Sequence, residues 1–393
     1  MIILLYLPTP GGLTGAPRRL FTLARGLKRL GATPIIATES DTDLYRTAQR
    51  ENFSTTSLDP PDILKLRAGA LFGGGFLFRI RVAIGLLRQQ YRFLKAVRAS
   101  GAEVIWIRAS KGIAFAGLGV LLSRKPLVWD IDFELPSRGA VHILHRLGLW
   151  LATYVVFQHD AAPEIFGKAL ADRYRSKIRV LPPGIELEAL QRLRKPHPEP
   201  TTASKDAFHM LQVGTICDRK NQAFLIEALS KLPRELLERT TLSLVGGSEQ
   251  AGYESDLRRR LAACGLDERV FFLGWRDDVH SLMRDSDLLV MPSKDEGVPN
   301  AVQEAMALGL PVLGSDRGGI PEILDHGRTG WVLPIDDPAC WAEVIGRLVN
   351  EPETLACVAD RARSHAEIHF SNDAWCARYL QVLDEALVQG KDR

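Results

Sequence analysis

Two glutamates eight residues apart, Glu296 and Glu304, stand in the stretch EGVPNAVQEAMALGLPVLGSDRGGIPE (296–322), with Pro299-Asn300 between them and a Gly-Gly-x-Pro-Glu tail after an apolar run. Inside one helix their side chains would lie roughly 80° apart around the axis, at about 100° per residue. Pro299 changes that arrangement. Proline is tolerated in the first turn of a helix, so the spacing predicts a helix from Pro299-Asn300 to Leu308-Gly309, with Glu296 on the preceding loop and Glu304 inside it. The N–H groups of Asn300 and Ala301 then point out of the helix start, where an anion is favoured, while Pro299 has no hydrogen to give. A carboxylate on either side of a phosphate-sized site suits a ligand with hydroxyls at both ends and phosphate in the middle. A nucleotide sugar has that form.

Four other stretches carry residues that do chemistry. VGTICDRKNQ (213–222) places Arg219 and Lys220 on a strand-to-helix loop, where two cations suit a diphosphate. PTPGGLTGAPRR (8–19) sets Gly11, Gly12 and Gly15 between a strand and a helix, which permits close backbone approach to a ligand, with Arg18 as a further anion contact. PLVWDIDFELPSRG (126–139) contains Asp130-x-Asp132, a short metal-binding pattern that recurs by chance, and no metal is expected. His159, in VVFQHDAAPE, falls just past a strand end.

Elements of regular alternation must position these residues. Apolar runs such as IILLYL, TPIIAT, EVIWI, PLVWDI, TYVVF and KIRVL are separated by helix-length segments, and the rhythm resumes with FHMLQVG, TLSLVGG, RVFFLGW, DLLVMPS and LPVLGS. Continuous apolar strands alternating with helices indicate parallel sheet covered on both faces. The expected fold class is therefore α/β, two Rossmann-like doubly wound domains facing across a cleft. Residues 1–190 form the first domain, the Pro-rich polar stretch 191–207 a linker, and residues 208–365 the second domain; a C-terminal helix over 366–393 crosses back to the first.

Composition narrows the class further. An apolar fraction of 46% is that of a folded globular protein, and the 393 residues suffice for two cores. Five cysteines without C-x-x-C spacing argue against a disulfide framework or a cysteine-bound zinc and for a reducing compartment. The opening MIILLYLPTPGG lacks a basic region and a small-residue cleavage site, so it reads as a strand and a cytoplasmic protein is expected. Charge is uneven: residues 1–200 hold 29 Lys and Arg against 16 Asp and Glu, while residues 201–393 hold 21 against 31. Between Asp62 and Glu103 there is no acid. The basic amphipathic pattern over residues 63–102 predicts peripheral contact with a membrane leaflet; no nucleic-acid module accompanies it, and no nucleic-acid partner is expected.

The order of Ser293, Glu296, Gly297, Pro299, Asn300, Glu304 and Gly318-Gly319 resembles the E-x7-E region of retaining glycosyltransferases with the GT-B fold. The resemblance covers nearly the whole chain. It implies that Glu296 meets the donor sugar's hydroxyls and Glu304 the ribose, that the backbone from Val298 to Ala301 faces the diphosphate, and that Lys220 neutralises the leaving group. It also implies a place for Gly214 and Thr215 in the donor site, with Thr215 standing where the family has an arginine and Arg219 replacing that cation. Gly11 and Gly12 would face the donor phosphate; Gly15, Arg18 and His159 would lie on the acceptor side. Asp132 stands where many members have a histidine beside the transferred sugar, and an ionised carboxylate accepts hydrogen bonds but cannot donate them. The activity implied is retaining transfer of a hexose-type sugar from a nucleotide diphosphate sugar to a glycan or lipid-linked glycan precursor, as in polysaccharide biosynthesis, without a cofactor. The alternatives are a nucleotide-sugar epimerase or hydrolase of the same fold, or a non-catalytic nucleotide-sugar-binding member.

Overall fold

A computed structural model of the chain describes residues 1–8, 16–65, 75–131, 139–160, 162–193, 207–248 and 250–391. The chain forms two compact units, Met1–Pro183 with Asn372–Arg393, and Gly184–Ser371.

The first unit is built on a seven-stranded, all-parallel sheet: β1 (Ile2–Tyr6), β2 (Thr33–Thr38), β3 (Ser54–Ser57), β4 (Val104–Arg108), β5 (Leu127–Asp130), β6 (Tyr154–Phe157) and β7 (Ile178–Val180), in the order β3-β2-β1-β4-β5-β6-β7. Side chains alternate faces along each strand. Leu4, Tyr6, Ile105, Ile107 and Trp129 point into one core, closed by the helices Phe76–Ser100, Ala109–Ser123 and Gly139–Leu151. Ile3, Leu5, Trp106 and Val128 point into the other, closed by the helices Ala16–Arg29 and Asn372–Lys391. Burial on both faces is why the central strands read as unbroken apolar runs.

Besides burying Trp375, Val382 and Leu383 in this core, the C-terminal helix Asn372–Lys391 makes two specific contacts in this unit. Gly26 leaves room for Cys376, whose thiol would collide with any Cβ at that position. On the same helix, the Tyr379 hydroxyl donates to Asp130, which also pairs with the Arg108 guanidinium at 3.1 Å, all three groups being buried. Asp130 thus anchors a helix, and its partner in the D-x-D pattern, Asp132, lies outside the described residues.

The second unit repeats the plan with six parallel strands: β8 (Phe208–Val213), β9 (Thr240–Val245), β10 (Val270–Gly274), β11 (Leu288–Met291), β12 (Val312–Ser315) and β13 (Trp331–Leu333), ordered β10-β9-β8-β11-β12-β13. Its limits correct the boundaries expected from sequence. Residues 184–190 belong here and not to the first unit, because Ile185, Leu187 and Leu190 are buried with Leu289 and Met306, and the Ile185 N–H donates to the Phe370 carbonyl at 2.8 Å. The helix Pro352–His369 also stays within this unit, so the return begins at Asn372 and not at 366. Of the expected linker, residues 194–206 lie outside the described residues.

A histidine is closed into the core of the first unit. His145 is fully buried, its ring 5.0 Å from Phe166 and 6.2 Å from Trp129 between centroids. Burial, with the nearby His142 charge second, pushes its pKa down from 6.5 to about 4. The unfolded chain therefore takes up this proton before the native state does, so the stability gained is complete above the unfolded pKa and falls as pH drops towards the folded one. Urea unfolding is expected to show a loss of about 2 kcal/mol from about pH 7.5 to about pH 5, and His145→Leu to remove most of that dependence. An unchanged slope in the variant would assign the proton to another group.

Candidate functional site

In a doubly wound sheet the strand order reverses at one point, and the loops leaving the two adjacent strands diverge there. In the second unit that point lies between β8 and β11, which pair directly through Met210–Leu288 and Leu211–Leu289. The loop after β8 carries Gly214, Thr215, Arg219 and Lys220, and the loop after β11 carries Glu296. Topology thus brings together residues about eighty positions apart in the sequence.

Lys220 and Glu296 form a buried ion pair, each residue 8% exposed. The Arg219 guanidinium reaches the same carboxylate oxygen at 3.0 Å and donates to the Asp295 carbonyl at 2.9 Å. Two cations share one anion, so the cluster keeps one positive charge. Each member is held from behind. Lys220 closes a short 3-10 turn, Asp218–Lys220, and its carbonyl accepts from Gln212 Nε2 at 2.9 Å. Asn221, with φ +57°, donates through its side chain to the Pro292 carbonyl at 3.1 Å, and Lys294 pairs with Asp218 at 2.7 Å. Thr215 contributes its carbonyl, which accepts from Gln222 Nε2 at 3.1 Å.

Two glycines make this proximity possible. Gly214 has φ +149°, and a Cβ there would lie 2.8 Å from Lys220 Cε. Gly318 has φ +60°, and its Cβ would run into the Glu296 carbonyl. Gly319 then donates its N–H to the carbonyls of Glu296 and Gly297, both at 3.1 Å. The Gly-Gly tail of the opening stretch is therefore the backing that fixes Glu296.

The helix predicted after this loop spans Asn300–Leu308, capped at its end by Gly309 with φ +78°. Pro299 is the residue before it, at φ −74°, and its carbonyl receives the Val302 and Gln303 N–H groups at 3.1 and 3.4 Å. Val298 is buried in the core, Asn300 is exposed and Ala301 half-buried, so the helix start opens outward from the loop that holds Glu296. Glu304 lies one turn in, and its Oε2 is 3.2 Å from His280 Nε2 on the helix Val279–Asp285. Sequence reasoning missed His280, which sits in DDVHSLM without any recognisable motif; it missed Gln212, Asp218, Asn221 and Lys294 for the same reason.

The first unit is less informative about the site. Arg18 is exposed on the helix Ala16–Arg29, and His159 is half-buried two residues past β6. Gly11, Gly12, Gly15 and Asp132 lie outside the described residues. Among the described residues there is no group of three or more His, Cys, Asp or Glu placed to hold a metal.

Breaking a buried ion pair from one side leaves an uncompensated charge. Lys220→Met is expected to cost this unit about 3 kcal/mol, and adding Glu296→Gln to recover part of that loss. Denaturant unfolding of the two single variants and the double tests this, and strictly additive losses would mean that the two groups are not coupled.

The second unit's sequence and the fold of the whole chain are similar to those of known proteins. Residues 207–351 match the family model described as glycosyl transferases group 1. The D-inositol 3-phosphate glycosyltransferase of Corynebacterium efficiens is 29% identical over 240 residues, 58% of this chain and 52% of the relative. The amylovoran biosynthesis glycosyltransferase AmsK of Erwinia amylovora is 27% identical over 194 residues, 46% of each chain. The chain thus spans about half the length of these curated relatives. Among solved structures, Anabaena HepE in complex with UDP superposes with a TM-score of 0.77 at 20% identity, covering 98% of this chain and 100% of HepE. A glycosyltransferase from Rickettsia africae gives 0.79 at 17% identity, covering 98% of each. Residues 207–351 are thus similar to the glycosyl transferases group 1 family, in a chain built from the two Rossmann-like units of the GT-B fold.

Proposed function

We propose that this protein transfers a sugar, with retention of configuration, from a nucleotide diphosphate sugar to a hydroxyl of a glycan or lipid-linked glycan precursor. The observation that carries the reading is the cluster of Lys220, Arg219 and Glu296, with one positive charge left over, at the switch point of a parallel sheet, where Glu296 lies on the loop entering the helix Asn300–Leu308. The diphosphate competes with Glu296 for the two cations, which releases the carboxylate to accept from the sugar's hydroxyls. Glu304, positioned by His280, accepts from the ribose. As the bond from the anomeric carbon to the diphosphate oxygen breaks, negative charge grows on that oxygen, and Lys220, Arg219 and the N–H groups at the helix start stabilise it. The acceptor oxygen forms its bond on the same face of the sugar, and its proton passes to the departing phosphate, so no protein base is assigned. In this scheme the fixed cations do the work for which other enzymes recruit a metal, and no cofactor is needed.

The name of AmsK ties that relative to amylovoran biosynthesis, which supports glycan assembly as the setting. Where the acceptor is lipid-linked, the enzyme works at a cytoplasmic membrane surface, and the segment 63–102 is the part of the chain proposed to meet it.

A thermal-shift panel of UDP-, GDP-, ADP- and TDP-sugars tests the donor site, with UDP-sugars first because HepE was solved with UDP. One nucleotide class is expected to raise the melting temperature of the wild type, and Glu304→Ala to lose that rise. In a transfer assay with the same donor, nucleotide release is expected to require acceptor, and Lys220→Ala to lower kcat by about 10²–10³-fold. Acceptor-independent release with an altered sugar would make the protein an epimerase or hydrolase. Binding without release in any acceptor mixture would make it non-catalytic.

A further inference from the structure

Large apolar side chains are normally exposed singly over a folded surface. Here they are concentrated. Of the eighteen exposed among the described residues, twelve lie on the three helices that close one face of the first unit's sheet. On Phe76–Ser100 the stripe is Phe76, Leu77, Ile80, Ile84, Leu87 and Tyr91, spaced three and four apart so that it faces one way, with Phe76 79% exposed. The helix Ala109–Ser123 adds Leu118, Leu121 and Leu122. The helix Gly139–Leu151 adds Ile143, Leu147 and Trp150, the last 55% exposed.

The three helices form one slab. Gln90 of the first reaches into the backbone of the second, donating through Nε2 to the Ala114 carbonyl at 2.7 Å and accepting from the N–H groups of Leu118 and Gly119 at 2.9 and 3.2 Å. A Cβ at Gly117 of the second helix would lie 3.2 Å from Leu151 of the third, so these two helices also approach closely. Charge on the slab has one sign. The three helices contain eight Lys and Arg and no Asp or Glu, and Arg124 and Lys125 follow one residue after Leu121 and Leu122, all four exposed.

We propose that the outer face of this slab docks on an anionic lipid bilayer, its apolar side chains entering the boundary between headgroups and acyl chains and its arginines and lysines binding lipid phosphates. The inference rests on the peripheral-membrane part of the proposed function and changes its content. The contact is the outer face of three packed helices, extending to Trp150, and not the segment 63–102 alone. Charge complementarity selects the occupant. A second copy docking by two-fold symmetry would set two acid-free basic faces against each other. Nucleic acid would match the cations but leave the apolar stripe uncovered. Among the described residues no helix is long and apolar enough to cross a membrane, so a surface contact is the association these helices can make.

Vesicle sedimentation of the full chain tests the proposal. The protein is expected to bind vesicles of phosphatidylcholine mixed with phosphatidylglycerol, to bind phosphatidylcholine alone weakly, and to lose the difference at high salt. Leu77→Ser combined with Ile143→Ser and Trp150→Ser is expected to abolish binding. Arg81→Gln and Arg88→Gln are expected to weaken it about fivefold each. These positions are exposed, so the melting temperature and the donor-induced thermal shift are expected to be those of the wild type. Failure of the wild type to bind anionic vesicles, binding unaffected by the triple variant, or a concentration-dependent dimer lost in that variant would each overturn the proposal. A donor shift without vesicle binding sinks the membrane surface alone, and vesicle binding without a donor shift sinks the donor site alone.

Discussion

Glu296 is a carboxylate removed from water, and the second unit's site is arranged around keeping it paired. A buried charge is tolerated only with a counter-charge and hydrogen bonds in place. Lys220 supplies the first charge, Arg219 the second, and the side-chain amides of Gln212 and Asn221, donating to the Lys220 and Pro292 carbonyls, fix the turn that carries them. From this one requirement follow the positive φ at Gly318, the close approach at Gly214, and the lacing of the loops after β8 and β11. Lys220 is already desolvated and both cations are oriented, so the diphosphate proposed above would meet a prepared site on displacing the carboxylate.

The first unit solves a different problem. Its sheet is covered on one face by helices that include the chain's own C-terminal segment, tied down by Gly26, Cys376 and the buried Arg108–Asp130–Tyr379 chain. Its other face is covered by three helices whose inner sides are core and whose outer sides remain apolar and basic. A helix that buries one side and exposes contiguous apolar residues on the other has the pattern of an interaction surface, and that pattern is the basis of the bilayer proposal. Under the bilayer proposal the two faces of the same sheet are set to different tasks, one closing the fold and the other meeting the membrane.

The fold was legible in the sequence wherever strands are central. β1, β4, β5, β8, β11 and β12 are buried on both faces and so appear as apolar runs. The two strands that sequence reading passed over are both at sheet edges. β3 reads STTS, with half of its pairing open, and β13 is only Trp331–Leu333. The domain junctions shifted for a related reason: proline and polar residues mark where a chain is exposed, but Ile185, Leu187 and Leu190 join a core through contacts with residues more than a hundred positions away.

At the site the sequence by itself determined the helix start after Pro299, the loop position of Glu296, the helical position of Glu304 and the cations at 219 and 220. These are local consequences of proline geometry, periodicity and residue type. Only the tertiary structure decided that both cations meet Glu296, that His280 meets Glu304, that Asp130 anchors a helix, and that apolar residues from three separate helices share one face. Strand order and helix packing set those encounters, and both are properties of non-local pairing that spacing along the chain does not encode.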